Sequence, residues 1–176
     1  MRTFIITLLL LGLTFSSFSQ EKEEGGAMDI KELPSVVIKR IGTDFSIYIP
    51  DQNPDINVRN LQEEFAAYDI GKNLNGDETY LVVLNTENNS LAATYNEKGK
   101  LIGVVENYKN VKLPKEVIFS LLRAYPEWNI VNDKFLYTQK EGDIIKKQYN
   151  IKIQKGKEVL RLKVHPNGEI ISPKIK

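Results

Sequence analysis

The stretch from Thr79 to Ile102, TYLVVLNTENNSLAATYNEKGKLI, lies over a second one, QYNIKIQKGKEVLRLKVHPNGEII from Gln148 to Ile171, at a fixed offset and without a gap. Tyr80 falls on Tyr149, Val82 on Ile151, Leu84 on Ile153, Leu91 on Leu160, Ala93 on Leu162, Tyr95 on Val164, Gly99 on Gly168 and Ile102 on Ile171. The coinciding apolar positions alternate, as strands buried on one face require, and such an echo is the mark of a repeated unit. Turn signals at Glu87 to Asn89, Asn96 to Lys100, Lys155 to Lys157 and Pro166 to Gly168 cut both stretches into hairpins. Gly99 and Gly168 take the same turn position, where a positive φ is cheap for glycine. One further strand is expected over Lys134 to Gln139, with a turn at Glu141 to Asp143 leading into the second stretch.

Upstream of each sheet a second echo runs at a different offset. LPSVVIKRIGTDF from Leu33 to Phe45 matches LPKEVIFSLLRAY from Leu113 to Tyr125. The later copy reads as a helix: Pro114 suits the first turn, Glu116 suits the dipole, and Val117, Ile118, Leu121, Leu122 and Tyr125 form an apolar stripe that Pro126 ends. The earlier copy is open between helix and strand, because Val36, Val37 and Ile38 are β-branched and Gly42 weakens a helix by about 1 kcal/mol relative to alanine. Residues Ile56 to Tyr68 are open too. Leu61, Phe65 and Tyr68 have helical spacing, whereas the coincidence of Tyr68 with Tyr137 at the first offset favours a strand near Phe65 to Ile70. Pro50 and Pro54 enforce irregular chain before it.

The expected architecture is therefore α+β, a tandem repeat of a helix and an antiparallel sheet of about four strands. The units run over 33–107 and 108–176, behind a signal peptide at 1–19 and a charged, glycine-containing leader at 20–32. The signal is read from MRTFIITLLLLGLTFSSFSQ: one positive charge, an apolar run from Phe4 to Leu13, and small residues at Ser17 and Ser19, with cleavage near Ser19. That run is short for a membrane span, so no stable membrane anchor is expected and the mature chain should be periplasmic or secreted. It contains no cysteine, so packing without disulfides must hold it together. Loss of Arg2 with the signal leaves 23 basic residues against 23 acidic ones, a balance that argues against nucleic acid as a partner.

Two helix-then-sheet units, each opened by Leu-Pro, one with a helix end reading AYPEWNI and a closing hairpin reading VHPNGEII, resemble the PepSY-like proteins, which are related in fold to beta-lactamase-inhibitor protein. The resemblance covers Leu33 to Lys176, and the first copy lacks the Tyr-Pro-x-Trp piece. It implies an exported, non-catalytic module that binds protein or peptide through its sheet, in some cases as an inhibitor. It brings no catalytic residue.

Chemistry-bearing groups are sparse. With one histidine, His165 in the turn HPNG, and no cysteine, neither a Cys/His dyad nor a Cys/His zinc site can be assembled. The glycine-rich first turn and paired histidines of a nucleotidyltransferase are missing as well. Asp51, Asn53 and Asp55 alternate like calcium ligands, with Glu63 near a closing position, but Ile56 stands where such a loop needs glycine, and a proline-rich turn is the preferred reading. Trp128, after a helix ending in Tyr-Pro, is expected to plug the gap between helix and sheet. No catalytic residue, metal site or cofactor is assigned. The alternative to a binding module is a small envelope enzyme or ligand carrier, with a pocket between the units where Tyr80, Tyr95 or Tyr149 meets an acidic residue.

The two copies differ on the face away from the core. In the second, Asn150, Lys152, Arg161 and Lys163 are polar and mainly basic; the matching positions in the first are Leu81, Val83, Ala92 and Thr94. An antiparallel sheet covered on one side does not need apolar residues on the other unless something lies there. Either another part of the chain covers that face, or a protein or peptide docks on Leu81, Val83, Ala92 and Thr94 with Lys152, Arg161 and Lys163 beside it as a polar rim.

Overall fold

Residues 37–41, 44–69 and 79–174 are described by a computed structural model, with side chains described over 46–69 and 79–171. The signal peptide, the leader, Leu33 to Val36, Gly42 and Ile70 lie outside them. The element order is β1 (Val37–Ile41), β2 (Asp44–Tyr48), α1 (Ile56–Ala67), β3 (Thr79–Asn85), β4 (Asn89–Asn96), β5 (Leu101–Lys109), α2 (Lys115–Ala124), β6 (Asn129–Lys140), β7 (Asp143–Lys155), β8 (Glu158–Val164) and β9 (Ile170–Lys174). Over the described residues this is an α+β fold, mostly antiparallel sheet with two helices.

β1 and β2 pair as a hairpin, and β3 to β9 form one seven-stranded sheet in sequence order with every neighbour antiparallel. β5 and β6 pair directly, from Gly103↔Lys140 to Lys109↔Lys134, so the two stretches recognised in the sequence belong to one continuous sheet. Each of those stretches makes three strands, β3 to β5 and β7 to β9. The offset also carries strand register: Val83↔Ala92 becomes Lys152↔Arg161, and Leu81↔Thr94 becomes Asn150↔Lys163.

The segment before the first sheet stretch resolves two choices that the sequence left open. Within the Leu-Pro copy at 33–45, residues 37–41 and 44–45 are strand, not helix as in α2, as its β-branched residues allow. The strand favoured near Phe65 is instead the end of α1. Helical periodicity prevailed there over the isolated match of Tyr68 with Tyr137: Val58, Leu61, Gln62 and Phe65 follow the i, i+3, i+4, i+7 pattern and are the buried residues of the helix. Asp55 caps it, its Oδ1 accepting from the Asn57 N–H at 2.8 Å, and Oδ2 of the same carboxylate accepts from the Lys112 N–H at 2.6 Å, tying the helix start to the β5–α2 connection.

The core lies on one face of the sheet, beneath α1, α2 and the β1–β2 hairpin. A cross-strand row of Tyr108, Phe135, Tyr149 and Val164 runs through its middle, with ring centroids 6.1 Å and 4.9 Å apart along the first three. Tyr48 of β2 meets Phe65 of α1 edge to face at 4.8 Å. In α2, Val117 and Leu121 are buried as expected, but Leu122 is 59% exposed, because the helix rests on the sheet along a narrower stripe than its apolar residues outline. Trp128 packs half-buried against the core, edge-on to Tyr125.

The β8–β9 turn is pressed against α2. Gly168 has φ 89°, and a Cβ there would sit 2.5 Å from the Glu116 carbonyl oxygen; Gly156 has φ 59° with nothing within 4 Å of a Cβ. Gly156→Ala is expected to cost about 1 kcal/mol through backbone strain alone. Gly168→Ala should cost clearly more, since either the turn or the helix must move; urea midpoints of the two variants check this order.

Candidate functional site

A polar cluster sits inside the core at the centre of the sheet. Glu106 alternates with Val104 and Tyr108 on the inward side of β5 and is 1% exposed. Its Oε1 accepts from the Tyr48 hydroxyl at 2.8 Å; its Oε2 accepts from the Gln62 amide at 2.7 Å and from the Tyr108 hydroxyl at 2.6 Å. Burial pushes the Glu106 carboxyl up to about 7 despite these donors, which pull the other way, and the neighbouring Asp51 charge adds to the rise. Burial and the Glu106 charge likewise push the Tyr48 and Tyr108 phenols upward.

Around it the chain between β2 and α1 crosses the sheet. The Gln139 side chain accepts from the Ile49 N–H at 2.9 Å and donates to the Ile47 carbonyl at 2.5 Å, while the Tyr137 hydroxyl donates to the Ile49 carbonyl. Gln62 Oε1 accepts from the Asp51 N–H at 2.8 Å. Three of the residues weighed as calcium ligands, Asp51, Asn53 and Asp55, are engaged in the same web, whereas Glu63 is exposed on α1. Asp51 pairs with Lys147, Asn53 donates to Asp51 and to the Tyr149 hydroxyl at 3.0 Å, and Asp55 is the helix cap. The tyrosines bonded to this acid are Tyr48 and Tyr108, not the Tyr80, Tyr95 or Tyr149 considered from the sequence, and the carboxyl they hold is buried in the core. His165 is exposed in its turn, its N–H bonded to the Glu169 carbonyl.

The opposite face of the sheet has the composition the alternation implied. Leu81 is 66% exposed and Val83 47%, beside the half-buried Ala92 and Thr94. Strand register adds a residue that the sequence comparison passed over, Val105, 57% exposed and paired with Ala92. The α1 helix packs on the core side of the sheet, and Leu81, Val83 and Val105 stay exposed among the described residues. Lys152, Arg161 and Lys163 stand further along the same face, where with Asn132, Lys134 and Asn150 they line an open depression of about 300 Å³. Lys134 was not picked out because β6 falls outside the aligned stretches. The two groups of residues therefore share one surface, apolar over β3 to β5 and basic over β6 to β8.

No family model matches the chain, and none of the curated proteins does. Among solved structures it is similar to a DUF2874 family protein from Bacteroides ovatus ATCC 8483, at 14% identity, with 70% of this chain and 89% of that one covered and a TM-score of 0.37. Among the described residues no helix is long and apolar enough to cross a membrane.

The Glu106 carboxyl makes a pH-dependent contribution of definite sign. Its pKa in the fold lies above its ordinary 4.5, so the fold favours the neutral form; that stabilisation is complete below pH 4.5 and is lost as pH rises through 7, by on the order of 3 kcal/mol. Glu106→Gln keeps the shape of the neutral carboxyl and can still accept from Gln62 and Tyr108. It is expected to be more stable than the parent at pH 8 and to lose that advantage at pH 4.5, as urea titrations across this range will read out; a variant weaker at pH 8 would contradict the assignment.

Proposed function

We propose that the protein is an exported, non-catalytic binding module of PepSY-like type, built from a duplicated helix-and-sheet unit, that docks a protein or peptide on the outer face of its sheet. Support for the duplication comes from the register: the constant offset carries cross-strand pairs onto cross-strand pairs, including Val83↔Ala92 onto Lys152↔Arg161. Export rests on the signal-like first 19 residues.

The observation that carries the docking face is the exposure of Leu81, Val83 and Val105 together, on a sheet whose other face already holds the core. Covering two such side chains with a partner is worth about 1.5 to 3 kcal/mol each, enough to matter for affinity. An extended peptide suits the surface, because its alternate side chains would meet a flat pleated sheet.

The test is selection of displayed peptides on the immobilised protein, followed by affinity measurements with Leu81→Thr plus Val83→Thr, which places strand-favouring β-branched residues at both positions. Selected peptides should bind the double variant at least tenfold more weakly, with its urea midpoint little changed. Full affinity in the folded variant would move the docking site elsewhere.

A further inference from the structure

We propose that the basic depression on β6 to β8 recognises the carboxylates of an extended acidic polypeptide, whose apolar residues lie on the adjoining Leu81–Val83–Val105 patch. This names the partner class of the docking face argued above and rests on that reading.

The depression holds four cations, Lys134, Lys152, Arg161 and Lys163, and two amides, Asn132 and Asn150, with no carboxylate in its lining. None of the four cations forms an ion pair among the described residues, whereas Lys147 and Lys155 elsewhere on the chain pair with Asp51 and Glu127. In a protein with 24 basic and 23 acidic residues, such a segregated cluster keeps a local positive potential that an anion would neutralise.

Three features select the class of anion. The floor is made of paired strands, whose N–H groups are used in the ladders with their neighbours, so no backbone nest converges on a single phosphate. The cations are instead spread in two cross-strand rows, Lys134–Asn150–Lys163 and Asn132–Lys152–Arg161. Rows two residues apart along a strand lie about 6.8 Å from each other, which is also the spacing of alternate side chains in an extended peptide. The aromatic residues of β6 to β8, Phe135, Tyr137 and Tyr149, are all buried on the other face, leaving no ring on which a base or sugar could stack. The two asparagine amides supply the donors and acceptors that a peptide backbone needs. Val105 pairs with Thr138, four residues from Lys134 along β6, a separation of about 14 Å along the strand, so a segment of five or six residues running along β6 reaches from the edge of the apolar patch into the depression.

A fluorescein-labelled ten-residue peptide with aspartate at alternate positions of one half, valine at alternate positions of the other and serine between them, so that aspartates and valines share one face, is the probe, read by fluorescence anisotropy against the full chain. Binding is expected at low salt and should weaken as salt is raised. The triple variant Lys152→Gln, Arg161→Gln, Lys163→Gln should bind at least tenfold more weakly, and the lysine–valine counterpart peptide should not bind the parent. Should the triple variant unfold, single Lys152→Gln and Lys163→Gln changes carry the test, with a severalfold loss expected from each. No binding to the parent, or unchanged affinity in the folded variants, overturns the proposal. So does displacement of the peptide by a sulfated oligosaccharide that binds more tightly. Loss in Leu81→Thr plus Val83→Thr but not in the basic variants would retain the docking face and remove acidic recognition; loss in neither would remove both.

Discussion

The structure depends on how the end of β2 and the irregular chain that follows it, Ile47 to Asp51, are allowed to cross the face of a sheet. Backbone N–H and C=O groups removed from water without partners cost too much to persist, and Ile49 to Asp51 continue past the last β1–β2 pair. Side chains take that role. Gln139 binds Ile49 N–H and Ile47 C=O together, as a neighbouring strand would; Tyr137 takes the Ile49 carbonyl, and Gln62 takes the Asp51 N–H. The sheet core is accordingly polar at its centre and apolar at its margins.

Glu106 follows from the same requirement. Gln62 and the hydroxyls of Tyr48 and Tyr108 need an acceptor once they are committed to the interior, and one carboxyl satisfies all three. Because that cluster is closed, the acid that most resembles a catalytic group is spent on holding α1 and β2 against the central strands. The opposite face presents the outward side chains of β3 to β8 with no described element over the exposed Leu81, Val83 and Val105.

On that face the two sheet stretches differ in side chains at matching pairs. Val83 with Ala92 in one and Lys152 with Arg161 in the other leave the same backbone ladder and alter only what the surface offers. A sheet joined between β5 and β6 places the apolar half beside the basic half, which two separate sheets would not have guaranteed.

Much of this was legible along the chain. Alternation located β3 to β5 and β7 to β9, Gly99 and Gly168 have the positive φ their turns called for, and α2 begins and ends where Pro114 and Pro126 demand. These are local consequences of side-chain size and backbone freedom, so sequence determines them. Whether Leu33 to Phe45 would follow its helical echo, and whether Tyr68 would follow Tyr137, depended on which surface each segment could bury, and there α1 formed around Val58, Leu61, Gln62 and Phe65. Glu106 stood at a core-facing position of its strand, yet nothing near it in sequence announces Tyr48 or Gln62, 58 and 44 residues away. Pairing of β5 with β6, the seat of Val105 and Lys134 on the outer face, and the sealing of the buried acid were decided by tertiary structure alone, because burial and register between distant strands are properties of the assembled core and not of any local stretch.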